Sequence, residues 1–109
     1  QPVTVDTATT VMAGLNCGTV SPLAWPAITA GLDGALITTD ADATRAAHDL
    51  AALGVDAGPC GAAPLAALRA VLAGPDAGAI RHHVGLTDTS TVVVVITEGT
   101  DANPVHRTD

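Results

Sequence analysis

The chain contains no lysine, no phenylalanine and no tyrosine, and Trp25 is its only aromatic residue. Arginine stays protonated and forms no Schiff base, so covalent catalysis through an amine side chain has no agent among these 109 residues. Without aromatics the core must be built from Ala, Val, Leu and Ile, each of which buries less area than an aromatic ring. A domain of this length made that way is marginal unless another surface covers it. Positive charge is also scarce. Four Lys+Arg against eleven Asp+Glu give a formal charge of -7, which repels nucleic-acid phosphates and anionic membrane surfaces. No apolar run is long enough to span a bilayer, and Gln1-Pro2-Val3-Thr4 has neither the basic nor the apolar region of a signal peptide. Cys17 and Cys60 lack CxxC spacing, which points to reduced thiols and a cytoplasmic setting. No GxSxG elbow, Walker loop or dinucleotide glycine fingerprint occurs. A start at Gln1 with no nearby methionine reads as a chain trimmed or excised from something longer.

What is present is an alternation of helical and strand-like patterns. Ser21 as a cap and Pro22 at the first position predict a helix at about 22 to 31. Ala35-Leu36-Ile37-Thr38-Thr39 reads as a short buried strand between Gly34 and Asp40. Thr39 or Asp40 then caps a helix in which Ala43, Ala47, Leu50, Ala51 and Leu53 repeat at helical spacing, until Gly54 ends it. Ala62 to Ala73 forms a second Ala/Leu helix, stopped by Gly74-Pro75. Thr91-Val92-Val93-Val94-Val95-Ile96 is a β-branched run without alternation, the pattern of a strand covered on both faces. These elements predict a single α/β unit over 1–109: three layers, with a mostly parallel sheet flanked by helices. Only two or three strands are visible, fewer than a doubly covered sheet usually has, so further strands are expected upstream.

Three loops fall where ligands bind in such a sheet: 9–18, 58–62 and 97–101. Gly58-Pro59-Cys60-Gly61 opens a helix and offers free N–H groups at its positive end, which suits an anion or a flat ligand. From spacing alone it reads more simply as a turn with a buried thiol. Thr97-Glu98-Gly99 places a hydroxyl and a carboxylate at a strand exit. His82-His83 lacks other metal ligands at suitable spacing and reads as a solvated loop pair, and His48 on the polar side of its helix and His106 in the tail read likewise as solvated.

Thr10-Val11-Met12-Ala13-Gly14-Leu15-Asn16-Cys17-Gly18, followed by Ser21-Pro22-Leu23-Ala24-Trp25, closely resembles a segment of the diaminopropionate ammonia-lyases. Gly58-Pro59-Cys60-Gly61-Ala62 and Ile96-Thr97-Glu98-Gly99-Thr100-Asp101 resemble, in order and approximate spacing, two later loops of that family. Cys60-Gly61-Ala62-Ala63 is also similar to a loop of serine dehydratases, which share the tryptophan-synthase-β-like fold. The resemblance implies the carboxyl-terminal portion of a fold-type-II enzyme using pyridoxal phosphate, with Thr97, Cys60, Gly61, Gly14 and Glu98 on the cofactor. Thr97 would meet the pyridine nitrogen. A hydroxyl there moderates the electron sink and suits β-elimination. The implied reaction is β-elimination on a small amino acid such as 2,3-diaminopropionate, giving pyruvate and ammonia. Ile96 departs from the family's serine, and the Schiff-base lysine, phosphate loop and catalytic acids of the family match nothing here. The chain alone is therefore expected to be inactive and to need a missing amino-terminal portion, within a homodimer. The alternatives are a threonine or serine dehydratase-like fragment and a stand-alone, non-catalytic α/β interaction domain.

Overall fold

The computed structural model describes residues 3–103. It contains four helices: α1 (Trp25–Gly31), α2 (Asp40–Ala52), α3 (Pro59–Ala73) and α4 (Ala77–Val84), preceded by a 3-10 turn at Ala13–Leu15. The centre of the molecule is the pairing of α2 with α3. Ala46, Ala47, Ala57, Ala62 and Ala66 form one buried cluster, against which Leu50, Leu65 and Ile96 pack. Met12, Ala43, Cys60 and Ala63 form a second. Alanine at these spacings lets the two helix backbones approach closely, so a core without aromatic residues still closes.

The helix ends follow from local chemistry. The Thr39 hydroxyl accepts from the Asp42 N–H at 3.1 Å and caps α2. Asp40 and Asp42 in the first turn complement the helix dipole. Gly54 adopts φ +80° just beyond the last turn, a conformation that favours glycine. Helix α3 starts at Pro59, three residues before the predicted Ala62, because proline suits the first position of a helix. Its last carbonyls, Val71 and Leu72, accept from Arg81 Nη1 at 3.0 Å, which ties α4 to α3. Helix α1 begins at Trp25, later than expected. The Ser21 hydroxyl instead accepts from Ala24 N–H in the turn before it.

The expected three-layer α/β architecture with a mostly parallel sheet, and with it the partial tryptophan-synthase-β-like fold, is not formed. Among the described residues the one β-contact is an isolated antiparallel bridge between Thr4 and Thr19. Neither predicted strand, 35–39 or 91–96, pairs with a neighbour or is assigned as a strand. The physical reason is non-locality. A helix satisfies its backbone within its own span, whereas a strand needs a neighbour at ladder distance. Instead, residues 93–98 lie along the helices with alternate side chains turned in. Val94, Ile96 and Glu98 are half-buried, while Val93, Val95 and Thr97 are exposed. The run that reads as covered on both faces is covered on one. No helix of the described residues is long and apolar enough to cross a membrane.

Candidate functional site

The three loops singled out from the sequence converge at the amino-terminal end of α3. The segment 10–12 is pinned to the start of α2. Thr10 Oγ1 donates to Asp40 Oδ1, and the Val11 N–H donates to Asp40 Oδ2 at 3.2 Å. This brings Met12 into the core beside Ala43 and Cys60 and sets Gly14 over the thiol. A Cβ at Gly14 would lie 3.2 Å from Cys60 Sγ.

Glu98 is the junction. Its carbonyl accepts from the Gly58 N–H at 3.1 Å, and its carboxylate Oε1 accepts from the Cys60 N–H at 2.8 Å. A carboxylate at the first turn of α3 meets both the unsatisfied N–H groups and the positive end of the helix dipole. The glycines here serve close approach. A Cβ at Gly58 would sit 2.7 Å from Glu98 Oε1 and 2.9 Å from two carbonyl oxygens, and one at Gly61 would collide with the Glu98 carbonyl oxygen and press on Ile96. Burial pushes the Cys60 thiol pKa up. The N–H groups of Gly14 and Leu15 oppose that push, and the Glu98 carboxylate adds to it.

Two residues of this cluster went unnoticed in the sequence. Asn103 Nδ2 donates to the Val11 carbonyl at 2.8 Å and reaches Glu98 Oε1 at 3.5 Å, so it bridges the first and last loops. Asp56 Oδ1 accepts from Thr100 Oγ1 at 2.7 Å and from its N–H at 3.2 Å, and these bonds hold the carboxyl pKa below its ordinary value. The only hint of either was position: each lies a few residues from a predicted loop.

Of the five residues expected on the cofactor, the structure gathers Gly14, Cys60, Gly61 and Glu98 into one packed cluster. Cys60 and Gly61 are buried, Glu98 is half-buried, and Gly14 and Thr97 are exposed. A cavity of about 620 Å³ lies elsewhere, between the segment Gly31–Leu36 and helices α3 and α4. His83 stands on its rim with Nε2 3.0 Å from the Asp33 carbonyl. A second cavity of about 470 Å³ is lined by Val11, Asp40, Arg45 and His48.

The chain belongs to the family of pyridoxal-phosphate-dependent enzymes, whose model matches residues 1–98. No curated protein and no solved structure matches it. Pyridoxal phosphate is the cofactor of that family. The residues of this chain do not complete a site for it. The helix end that offers converging N–H groups already carries the Glu98 carboxylate, which repels a phosphate. The space before Gly61 is filled by Glu98 backbone and Ile96, leaving no room there for a ring. No side-chain amine is available to form the cofactor linkage.

Proposed function

We propose that this chain forms one wall of a pyridoxal-phosphate-dependent ammonia-lyase, and that sequence outside these 109 residues supplies the lysine and the phosphate cradle. The reaction of the complete enzyme is β-elimination on 2,3-diaminopropionate, which with one water gives pyruvate and two ammonia. The observation that carries this reading is the meeting of three loops far apart in sequence: 10–18, 58–62 and 97–103. Each bears a motif resembling the same lyase family, and they join through Glu98, Cys60 and Asn103. Within the wall, Cys60, Gly61 and Glu98 hold the loops together. Thr97 and Gly14, exposed at the surface of the cluster, are the residues offered to the cofactor. A serine or threonine dehydratase-like activity is the second reading, favoured by the loop Cys60-Gly61-Ala62-Ala63.

The test is to isolate the native protein carrying this sequence, reduce it with borohydride and map the modified peptide. Release of pyruvate and ammonia is assayed in parallel from 2,3-diaminopropionate, serine and threonine. A cofactor-modified lysine outside the 109 residues, with turnover of the diamino acid, is the expected result. Turnover of serine or threonine alone establishes the second reading, and no cofactor adduct with no turnover overturns both. The 109-residue chain incubated with pyridoxal phosphate is expected to release neither product.

A further inference from the structure

Asn103 touches all three loops of the junction. Its Nδ2 donates to the Val11 carbonyl at 2.8 Å, across 92 residues, and reaches Glu98 Oε1 at 3.5 Å. Its backbone carbonyl oxygen is one of those that would meet a Cβ at Gly58, at 2.9 Å. Glu98 Oε1 also takes the Cys60 N–H at 2.8 Å, so Asn103 and the first turn of α3 share one carboxylate oxygen. Val11 is tied on both sides, through its N–H to Asp40 Oδ2 and through its carbonyl to Asn103. Both groups that the Asn103 nitrogen meets are acceptors, and a primary amide offers two donors and no charge. A carboxylate of the same shape would bring no proton to the Val11 carbonyl and a second negative charge to Glu98.

We propose that Asn103 is a positioning residue. By donating to both acceptors it keeps the Glu98 carboxylate on α3 and holds loop 10–18 against the last loop. It thereby fixes the relative placement of Gly14, three residues from Val11, and Thr97, next to Glu98, the two exposed residues of the cluster. The far side of the last loop has its own anchor, since Thr100 donates to Asp56 through its hydroxyl and its N–H. Removing the Asn103 donor therefore leaves that end held and acts on the contact with loop 10–18. The locking of the loops concerns the chain itself. Its consequence for turnover rests on the lyase reading.

The experiment places Asn103→Asp and Asn103→Ala in the complete native protein and follows amide hydrogen exchange at 10–15 and 58–62, with α2 as the control for an intact fold. Exchange at the Cys60 N–H should quicken about tenfold in Asn103→Asp and less in Asn103→Ala, because the first keeps the shape and reverses the donor. In the same samples kcat for 2,3-diaminopropionate should fall by about as much in Asn103→Asp, with KM moving far less. Unchanged exchange in Asn103→Asp overturns the proposal. So does a larger effect from Asn103→Ala, which would make the residue a filler of space. Faster exchange with kcat unaltered in an active enzyme overturns the positioning role. A parent protein that turns over no diamino acid sinks the lyase reading instead, and the exchange comparison then decides the locking of the loops alone.

Discussion

The end of α3 and the segment 91–95 meet at Ile96, yet they are built on opposite terms. Around Gly58, Cys60 and Gly61 the chain is packed so tightly that a single added carbon has nowhere to go. A few residues earlier, Val93 and Val95 stand in solvent. Helices α2 and α3 satisfy their own backbones and need only small side chains to come together, so a core of alanine suffices. An apolar strand has no such independence. Where no neighbour reaches it, its side chains stay exposed, however strongly its residues favour β structure. Small residues therefore carry the stability of this domain through close approach, and several large aliphatic residues, Val93 and Val95 among them, stay on its surface.

The sharpest way to break that comparison is Gly61→Ala. In a helix this exchange ordinarily stabilises, because alanine is the better helix former. Here the new methyl meets backbone, the Glu98 carbonyl oxygen, which cannot rotate away. The expected effect is a loss of about 2 kcal/mol or more, read from urea unfolding. An unchanged midpoint would show that the loops are looser than described.

Glu98→Ala acts on the same junction with smaller effect. It leaves the Cys60 N–H without its acceptor and removes a negative charge from the start of α3, a loss of about 1 kcal/mol. It also lowers the pKa of the Cys60 thiol, since the carboxylate is one of the groups holding it up. The pH dependence of alkylation at Cys60 should move to lower pH, with exposed Cys17 as the internal reference. Because the folded thiol pKa is raised, the wild-type chain is stabilised below the ordinary thiol range. It loses that contribution as pH rises through the thiol range toward the folded value.

These effects also show which parts of the molecule were legible in sequence. The Thr39 cap, the Ala43-Ala47-Leu50 spacing and the Gly54 stop lie within one window, so α2 could be bounded almost to the residue. Loops 9–18, 58–62 and 97–101 were singled out as strand-end loops of a sheet that does not form, so their meeting at the start of α3 rests on long-range bonds and not on the layout that picked them. Helix α4 was not legible, because Ala77–Val84 is short and carries Gly78 and two histidines. Gly85 at φ +72° and the basic last turn, Arg81-His82-His83, were a readable ending. The sheet was misread because Val92 to Ile96 states a preference for a partner without stating whether one is near. Asn103 and Asp56 were missed because their bonds span 92 and 44 residues, and nothing local marks them.

Gly78→Ala is the counterpart of the first substitution. Gly78 lies within α4, nothing stands within 4 Å of an added Cβ, and its φ is not in the left-handed region. The same exchange that destabilises at Gly61 should stabilise here by about 0.5–1 kcal/mol, by relieving the entropy that glycine loses in a helix. The opposite signs of the two glycine substitutions separate close packing from helix propensity as the force that shapes the α3 junction.

The smallest effect concerns Asp56 and Thr100, where the tight region ends at the surface. Thr100 donates twice to one carboxylate oxygen, once from its hydroxyl and once from its backbone N–H. The hydroxyl bond is the larger cause of the lowered Asp56 pKa, and burial acts weakly against it. Thr100→Val removes the hydroxyl, keeps the shape and leaves the N–H in place. The Asp56 pKa should therefore rise toward its ordinary value, as carboxyl chemical shifts through an acid titration would show. A depressed carboxylate pKa adds stability above the unfolded value and loses it as pH falls through the folded value, so the variant and the parent should differ at neutral pH and converge in acid. A pKa unmoved by the substitution would assign the shift to the backbone N–H alone, and the loop at Gly99 would then be held by its fold instead of by its side chains.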